Sequence, residues 1–292
     1  MNFVIAGFGK IIKPLFNIGL GQILVVRKLY MFIWKYFGCK GVRLIEVNGL
    51  KLYIVCRDWA VAPTMLFAHT WEPEETKLCQ VHIKAGMNVI DAGAYIGYYS
   101  ILASKLVGDK GKVYSFEPSP ECLELLYKNI EINECKNIRV FEKALMDKVD
   151  QSTFYLSPQN LSGSTMFENY STQGNIKDPQ IEISTTTLDE EIGDEKVDFI
   201  KMDIEGGEVK ALAGMERIID NNPNLKMIIE VFPIGLDNVG SSLEEFIGFL
   251  QKHFHLYIVG QRYDEVGLAD IQEATRKTAV INIFCLRRKV SV

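Results

Sequence analysis

The pattern of apolar and polar positions changes character near residue 86. From there on, short apolar runs predict strands at 88–92, 112–117, 138–145, 198–203 and 226–232. Apolar residues three or four positions apart predict helices at about 97–106, 120–133, 207–221 and 242–253. The second helix has Ser119 as its predicted N-cap and Pro120 at its first position. Strands that alternate with helices of this length predict a mostly parallel α/β sheet, doubly wound with helices on both faces.

The ends of the chain follow different patterns. Two last strands are predicted at 255–260 and 279–288, with no clear helix between them, as in a hairpin that closes one edge of the sheet. Before residue 86, "RLIEVNGLKLYIVC" alternates apolar and polar residues around Asn48-Gly49, which predicts a β-hairpin, and a helix is expected from near Glu74. The chain therefore divides into a helical extension at 1–42, a hairpin and linking helix at 43–85, and a main domain at 86–292.

Charge is distributed unevenly along the chain. Residues 1–45 carry seven Lys or Arg and no acid, which leaves 25 basic and 37 acidic residues for the rest. An acidic body disfavours nucleic acid as a partner. The basic, aromatic-rich extension has no uncharged run of the roughly 18 residues that a membrane span needs. Two interpretations stay open: a helix lying on anionic lipid as a peripheral membrane contact, or a helical cap packed on the main domain.

Cysteine and histidine are sparse in this sequence. The six cysteines include no C-x-x-C pair, and there are four histidines. Neither a zinc site nor a disulfide framework is indicated by this spacing, and we expect no bound metal. Scattered cysteines favour a reducing compartment, so we expect a cytoplasmic protein, associated with the cytoplasmic face of a membrane if the extension binds lipid.

The segment "NVIDAGAYIGYYS" at 88–100 carries the first candidate chemistry. Asp91 ends a buried strand, and Gly93 and Gly97 allow close backbone approach in the turn that follows. Backbone N–H groups of such a turn can hold a carboxylate. The pattern is not G-x-G-x-x-G, and Asp91 would repel a dinucleotide's pyrophosphate but attract a ligand with an ammonium or sulfonium group. Glu117, at the end of "KVYSFEP", can accept hydrogen bonds from both hydroxyls of a ribose.

The segment "VDFIKMDIEGGE" carries the second candidate chemistry. Strand alternation places Lys201 and Asp203 on one side, and Glu205 and Glu208 follow where the chain turns into a helix. Two charges in a buried strand are unusual, because unpaired buried charge is costly. A long polar segment at 158–180 is open to two interpretations, a substrate lid or a plain surface insertion.

Three segments, "VIDAGAYIGYYS", "VYSFEPSP" and "VDFIKMDIEGGE", in this order and at these intervals resemble the FkbM-type family of S-adenosylmethionine-dependent O-methyltransferases. The resemblance covers about residues 70–286, and Lys-x-Asp-x-Glu-Gly-x-Glu is its most specific part. It implies a seven-stranded, Rossmann-like class I methyltransferase sheet with its last strand antiparallel, and an S-adenosylmethionine-binding domain at 86–292. The cofactor contacts that it implies are Asp91, Gly93, Ala94, Gly97 and Glu117, with the backbone near Ala144 and Leu145 beside the adenine.

We therefore expect methyl transfer to a hydroxyl of a sugar, glycolipid or secondary metabolite, with a lipid-linked glycan among the candidates. Asp203 is the candidate base or acceptor anchor, or else holds the cofactor's ammonium group. Lys201 is expected to orient Asp203, and Glu205 to bind substrate hydroxyls. The alternatives are a nucleotide-dependent oxidoreductase on a similar sheet, an RNA methyltransferase, and a non-catalytic binding protein.

Overall fold

The computed structural model describes Trp34 and residues 39–158, 160–167, 179–238 and 240–287. The predicted extension at 1–42 lies almost entirely outside these residues, so its lipid-binding and packing interpretations both stay predictions. Within the described ranges, no helix has the length and apolar character needed to cross a membrane.

Seven strands form the central sheet. They are β3 (Asn88–Ala92), β4 (Lys112–Phe116), β5 (Ile138–Phe141), β9 (Phe199–Met202), β10 (Lys226–Val231), β11 (His255–Ile258) and β12 (Ile281–Leu286). Their order across the sheet is β11-β12-β10-β9-β3-β4-β5. Only β12 runs antiparallel to its neighbours in this sheet, and the other pairings are parallel. The predicted doubly wound, seven-stranded sheet with an antiparallel last strand is confirmed.

Helices cover both faces of this sheet. They are α1 (Ala62–Ala68), α2 (Pro73–His82), α3 (Tyr98–Val107), α4 (Pro120–Ile132), α5 (Leu188–Ile192), α6 (Glu208–Ala213), α7 (Glu216–Asn221), α8 (Pro233–Asn238), α9 (Leu243–His253) and α10 (Leu268–Thr278). Single turns of 3-10 helix lie at Gly108–Lys110 and Leu161–Gly163.

Successive residues of each central strand pack into different cores. Ile90 and Ile200 lie in the core with α6, α7 and α9, whereas Val89 and Phe199 lie in the core with α2 and α3. The side chain of Asp91, which lies between Ile90 and Ala92, therefore points toward α2 and α3. The same alternation places Lys201 on that face, and this determines where the charged residues of the site meet.

Two smaller sheets flank the central one. The predicted hairpin is present as β1 (Val42–Val47) and β2 (Leu50–Val55), with positive φ at both turn residues, Asn48 and Gly49. A three-stranded sheet has the order β6-β8-β7, formed by β6 (Ala144–Leu145), β7 (Asp150–Tyr155) and β8 (Gln180–Thr186). The single strand predicted at 138–145 is wrong, because its last two residues leave the central sheet and pair with β8.

Two helix predictions also need correction. The helix predicted at 207–221 is divided into α6 and α7 near Gly214, where an added Cβ would lie 2.2 Å from the carbonyl oxygen of Met146. The last two strands are not joined by a simple hairpin loop, since α10 lies between β11 and β12. Its sequence, "LADIQEATRKT", is polar apart from a narrow stripe, and only Ile271 and Thr275 are buried, so its apolar signal is weak.

Cys39 and Cys56 form a disulfide across the base of the hairpin, and the other four cysteines are free. This contradicts the expectation of reduced cysteines alone. The spacing of the cysteines does not predict this disulfide, because its two residues are 17 apart in sequence and meet only when β1 and β2 pair. Beside it, the indole Nε1 of Trp34 donates to the carbonyl oxygen of Cys56 at 2.9 Å.

Candidate active site

The candidate residues meet at the carboxyl edge of β3, β4 and β9. Asp91 and Lys201 are register neighbours on the adjacent parallel strands β3 and β9, and both are 2% exposed. The carboxyl ends of parallel strands are where α/β sheets bind ligands. Three loops leave the sheet there: the turn after Ala92, the loop after Phe116, and the loop after Met202.

The turn after β3 approaches the loop after β9 so closely that only glycine fits. A Cβ added to Gly93, whose φ is +83°, would lie 1.9 Å from the carbonyl oxygen of Asp203. The N–H groups of Gly93 and Ala94 donate to the carbonyl oxygen of Phe116, at 3.0 and 2.9 Å, and that of Gly97 donates to Ala94 at 2.7 Å. These three donors are paired within the protein, and the expectation that N–H groups of the turn hold a ligand carboxylate stays a prediction.

Gly97 serves helix packing in this structure. Its added Cβ would lie 2.5 Å from the Cδ1 atom of Leu126 on α4, so the absent side chain lets α3 and α4 pack closely. Ala94 is 4% exposed. Neither residue lines the cavity described below, and contact between them and a cofactor stays a prediction.

Asp91 lies behind the turn and does not line the cavity. Its Oδ2 accepts from the hydroxyl of Ser100 at 2.5 Å, and Ser100 is also 2.7 Å from the hydroxyl of Ser115 on β4. Burial raises the pKa of Asp91 to about 6, although Ser100 and the ammonium of Lys201 oppose this. The geometry therefore gives Asp91 a supporting position beneath the turn, and its direct contact with a cofactor stays a prediction.

Glu117 lines the cavity from the end of β4, and it is 6% exposed. Its two carboxylate oxygens accept from the backbone N–H of Tyr95 at 2.7 Å and from that of Ser119 at 2.9 Å. Burial raises its pKa to about 7 despite these two donors. Ser119 precedes α4 as predicted, but its side chain makes no capping hydrogen bond. Each oxygen keeps a lone pair that can accept from a further donor.

A cavity of about 610 Å³, open solvent included, lies between these loops. Phe116, Ala144, Leu145 and Phe154 form its apolar end, and Glu117, Asp203 and Glu205 supply its carboxylates. Apolar side chains beside a buried carboxylate are the surroundings that the base and the ribose hydroxyls of an adenosine require, and contact between these residues and a cofactor stays a prediction.

Lys201 and Asp203 form an ion pair at the edge of this cavity. The Nζ of Lys201 donates to Oδ2 of Asp203 at 3.1 Å, and the side chains are 3% and 30% exposed, respectively. Burial alone would lower the pKa of Lys201, but the carboxylates of Asp203, Glu72 and Glu230 outweigh burial and raise it. Lys201 therefore stays cationic, and the sequence-based expectation that it lies beside Asp203 agrees with this geometry.

Three residues complete the surroundings of Lys201. Its ammonium lies 5.4 Å from the ring centroid of Tyr99, within the range of a cation–π contact. The hydroxyl of Tyr99 donates to Oε2 of Glu72 at 2.6 Å. Glu72 has φ 37°, and such a conformation in a non-glycine residue is often found at functional sites. Burial raises the pKa of Glu72 and of Glu230. One cation thus faces several carboxylates here.

The loop after β9 is held by an internal carboxylate. Oε1 of Glu208 accepts from the N–H of Ile204 at 3.0 Å and from that of Gly206 at 3.4 Å. Glu208 is 1% exposed, so it shapes the turn and does not reach the cavity. Glu205, at φ 54°, lines the cavity instead.

The structure thus brings six of the ten predicted site residues to the cavity wall, while the other four lie behind it. The six are Gly93, Glu117, Ala144, Leu145, Asp203 and Glu205, and the other four are Asp91, Ala94, Gly97 and Lys201. Sequence patterns did not predict Tyr95, Tyr99 or Asp58 as residues of the site. A sequence signal for the tyrosines is the aromatic-rich "AYIGYY" of the turn, whereas Asp58 lies in a linking segment with no motif. Within the described ranges, no cluster of three His, Cys, Asp or Glu residues could hold a metal ion.

Comparison with known proteins gives a match between residues 91–257, more than half of the chain, and the methyltransferase FkbM domain. The region contains every predicted site residue. It ends at β11 and does not include the hairpin, α1 or α2.

Shorter matches relate the chain to curated methyltransferases. It is 29% identical over 91 residues to a probable cobalt-precorrin-6B C(15)-methyltransferase (decarboxylating) from Sulfolobus acidocaldarius, covering 31% of this chain and 47% of that protein. It is 34% identical over 93 residues to a ribosomal protein L11 methyltransferase from Acetivibrio thermocellus, covering 30% and 28%. The chain thus spans less than half the length of these relatives. A solved SAM dependent methyltransferase from Aquifex aeolicus overlaps with TM-score 0.40 and 18% identity, covering 74% of this chain and 89% of that one.

Proposed function

The chain belongs to the FkbM methyltransferase family, and from that premise we propose that it transfers a methyl group to a hydroxyl of a sugar, glycolipid or secondary metabolite. The methyl donor of the family is S-adenosylmethionine. The observation that carries the proposal is the position of Asp203. Its carboxylate is partly exposed in the cavity wall, shares that wall with Glu117, and is paired with a buried lysine.

Residues of this chain fit the donor in two parts. Glu117 would accept from the ribose hydroxyls, and Ala144 and Leu145 would lie against the adenine. S-Adenosylmethionine supplies a methyl group on a sulfonium, whose positive charge disappears as the methyl passes to the acceptor oxygen. Carboxylates in the cavity wall favour a cationic ligand by Coulomb attraction.

Asp203 would accept a hydrogen bond from the acceptor hydroxyl and take its proton. An alcohol becomes a strong acid as its oxygen bonds to a methyl group, so the proton can leave late. Holding the acceptor in line with the donor contributes further, because orientation removes entropy from the barrier.

Lys201 would position Asp203 through their 3.1 Å contact. Since its pKa is raised by the surrounding carboxylates, Lys201 would remain charged at neutral pH and would not itself act as a base. Its ammonium would hold the Asp203 carboxylate in place by charge and by this hydrogen bond.

The acceptor class is inferred from the carboxylates beside Asp203. Glu205 lines the cavity together with Asp203, and the carboxylate oxygens of the two residues can accept from several neighbouring hydroxyls, an arrangement that suits a sugar. The same carboxylates would repel phosphates, which disfavours RNA as the acceptor. Peripheral membrane contact through residues 1–42, which would suit a lipid-linked glycan, rests on the sequence alone.

The test is a methyl-transfer assay with labelled S-adenosylmethionine and a cell extract divided into glycan, lipid and RNA fractions. We expect label in hydroxyl-bearing glycans or lipids, released as a methyl ether on hydrolysis. Asp203→Asn should lower kcat by roughly 10²–10⁴-fold and leave binding of S-adenosylhomocysteine within about twofold. Label that enters only RNA, or an Asp203→Asn enzyme of full activity, would refute the acceptor class or the role of Asp203, respectively.

A further inference from the structure

Asp58 is a buried carboxylate outside the region that matches the family, in the link between β2 and α1. It is 0% exposed and accepts four hydrogen bonds. Oδ1 accepts from the N–H groups of Ala60 and Val61, both at 3.1 Å, and these contacts are local. Oδ2 accepts from the hydroxyl of Tyr95 at 2.8 Å and from the N–H of Ser162 at 3.2 Å. The last two contacts join segments that are far apart in sequence.

Tyr95 connects Asp58 to the cofactor side of the cavity. It lies in the turn after β3 with φ 50°, and its backbone N–H is the 2.7 Å donor to Glu117. Tyr95 therefore contacts the carboxylate of Glu117 through its backbone N–H and the carboxylate of Asp58 through its hydroxyl. A change at Asp58 would be transmitted to Glu117 through Tyr95.

Ser162 connects Asp58 to the opposite wall. Residues 160–167, which we call the cover segment, supply five lining residues of the cavity: Leu161, Ser162, Ser164, Met166 and Phe167. The other end of the cover segment is held by Thr165, whose Oγ1 donates to the carbonyl oxygen of Glu205 at 2.9 Å. Just before it, Nε of Arg57 donates to the carbonyl oxygen of Pro158 at 2.8 Å. The cover segment is thus fastened at both ends to residues of the site.

We propose that Asp58 is a positioning residue for the cofactor, which holds the cover segment and the turn of Tyr95 in one hydrogen-bonded unit around the cavity. Binding of the donor and ordering of the cover segment are then coupled, because both depend on the same carboxylate. A buried network of this kind acts as a unit, and one unpaired member weakens the rest. The proposal rests on the cofactor cavity described above and adds a residue from the segment before the matched region.

Two substitutions separate the contacts of Asp58. Tyr95→Phe removes one hydroxyl and leaves the carboxylate three donors. Asp58→Asn is more severe, because its amide NH₂ must face either the N–H groups of Ala60 and Val61 or the N–H of Ser162. Asp198→Asn is the matched control: Asp198 is 9% exposed and its Oδ2 accepts from the N–H of Asn88 at 3.0 Å, at the opposite edge of the sheet.

The first measurement is calorimetric binding of S-adenosylhomocysteine to the full chain. We expect the Kd to rise about fivefold for Tyr95→Phe and more for Asp58→Asn, in line with the net worth of a buried hydrogen bond. Asp198→Asn should lower the melting temperature and leave Kd within twofold. A Kd unchanged in both Tyr95→Phe and Asp58→Asn would overturn the proposal.

The second measurement is hydrogen exchange at saturating S-adenosylhomocysteine, where weaker binding no longer matters. In the wild type and in Asp198→Asn, the ligand should slow exchange of the cover segment. In Asp58→Asn this protection should be lost, a result that a merely stabilising role would not produce. Full protection in Asp58→Asn would overturn the coupling, whereas a wild-type protein that binds no ligand would refute the cofactor assignment itself.

Discussion

Replacement of Glu117 by Gln tests the central assignment of the cavity. The carboxylate is 6% exposed, has a pKa raised to about 7 by burial, and accepts from two backbone N–H groups. If it also accepts from the ribose, it must be ionised to do so fully. Gln has the same shape but presents an NH₂ group to one of the N–H donors, which leaves that buried donor unpaired.

The magnitude follows from two terms. A charge-assisted hydrogen bond is worth about 1.5–3 kcal/mol, so Glu117→Gln should weaken binding at pH 8 by about 10- to 150-fold. In the wild type, a pKa of about 7 leaves roughly nine tenths of Glu117 ionised at pH 8 and roughly one tenth at pH 6. The ionised form predominates above the pKa, so affinity should fall about tenfold as the pH decreases from 8 to 6.

The assay is isothermal titration of S-adenosylhomocysteine at pH 6, 7 and 8 for wild type, Glu117→Gln and Glu208→Gln. Glu208 is the matched control, because it is also buried, also accepts from two backbone N–H groups, and also has its pKa raised to about 7 by burial, but lies outside the cavity wall. Titration of the ligand itself is common to all three proteins and cancels in the comparison.

We expect the wild type and Glu208→Gln to show the tenfold change between pH 6 and 8, and Glu117→Gln to show a flat profile with weak binding throughout. The reasoning is refuted if Glu117→Gln binds as tightly as the wild type at pH 8. It is also refuted if the wild-type and Glu117→Gln profiles keep the same slope, because the titrating group would then be another one.

Three further predictions concern the turn, the lysine and the disulfide. Gly93→Ala should abolish cofactor binding and destabilise the protein by more than about 2 kcal/mol in a denaturant titration, because its Cβ would collide with the carbonyl oxygen of Asp203. The control is Gly86→Ala, at φ +82° with nothing within 4 Å of the added Cβ, which should destabilise the protein by only about 1 kcal/mol. Equal effects of the two substitutions would contradict the steric argument. Lys201→Met should lower kcat at least as much as Asp203→Asn and destabilise the fold by about 3 kcal/mol, because it leaves carboxylates without their cation; an active, stable variant would contradict the positioning role. The Cys39–Cys56 disulfide closes a loop of 17 residues, so its reduction should lower the free energy of unfolding by about 3 kcal/mol through chain entropy. An intact mass that does not rise by two hydrogens on reduction would show that the bond is absent.

The features predicted correctly from the sequence have local causes. The central strands are short β-branched runs, and their period of two determines that Lys201 and Asp203 share a face. The turn at Asn48-Gly49 is similarly encoded by its own two residues. Each of these needs only neighbours within a few positions, so the pattern alone is sufficient.

The missed features depend on contacts between distant segments. Asp58 reaches Tyr95 and Ser162, 37 and 104 positions away, and no local pattern marks it. The same holds for Cys39 and Cys56, which are joined only by pairing of β1 with β2. The helix α10 was missed because its buried stripe is too narrow to raise a periodic signal.

Asp91 has a supporting position in the structure, whereas its predicted contact with a cationic ligand stays a prediction. Its Oδ2 accepts from the hydroxyl of Ser100, and the residue lies next to Lys201 across the β3–β9 pair. In this position its charge offsets part of the field of Lys201 and fixes the turn from below. Glu117 lines the cavity and Asp91 does not, so we expect the loss of affinity to be smaller in Asp91→Asn than in Glu117→Gln. The two substitutions, compared at pH 8 by the same titration, decide which acid the ligand meets.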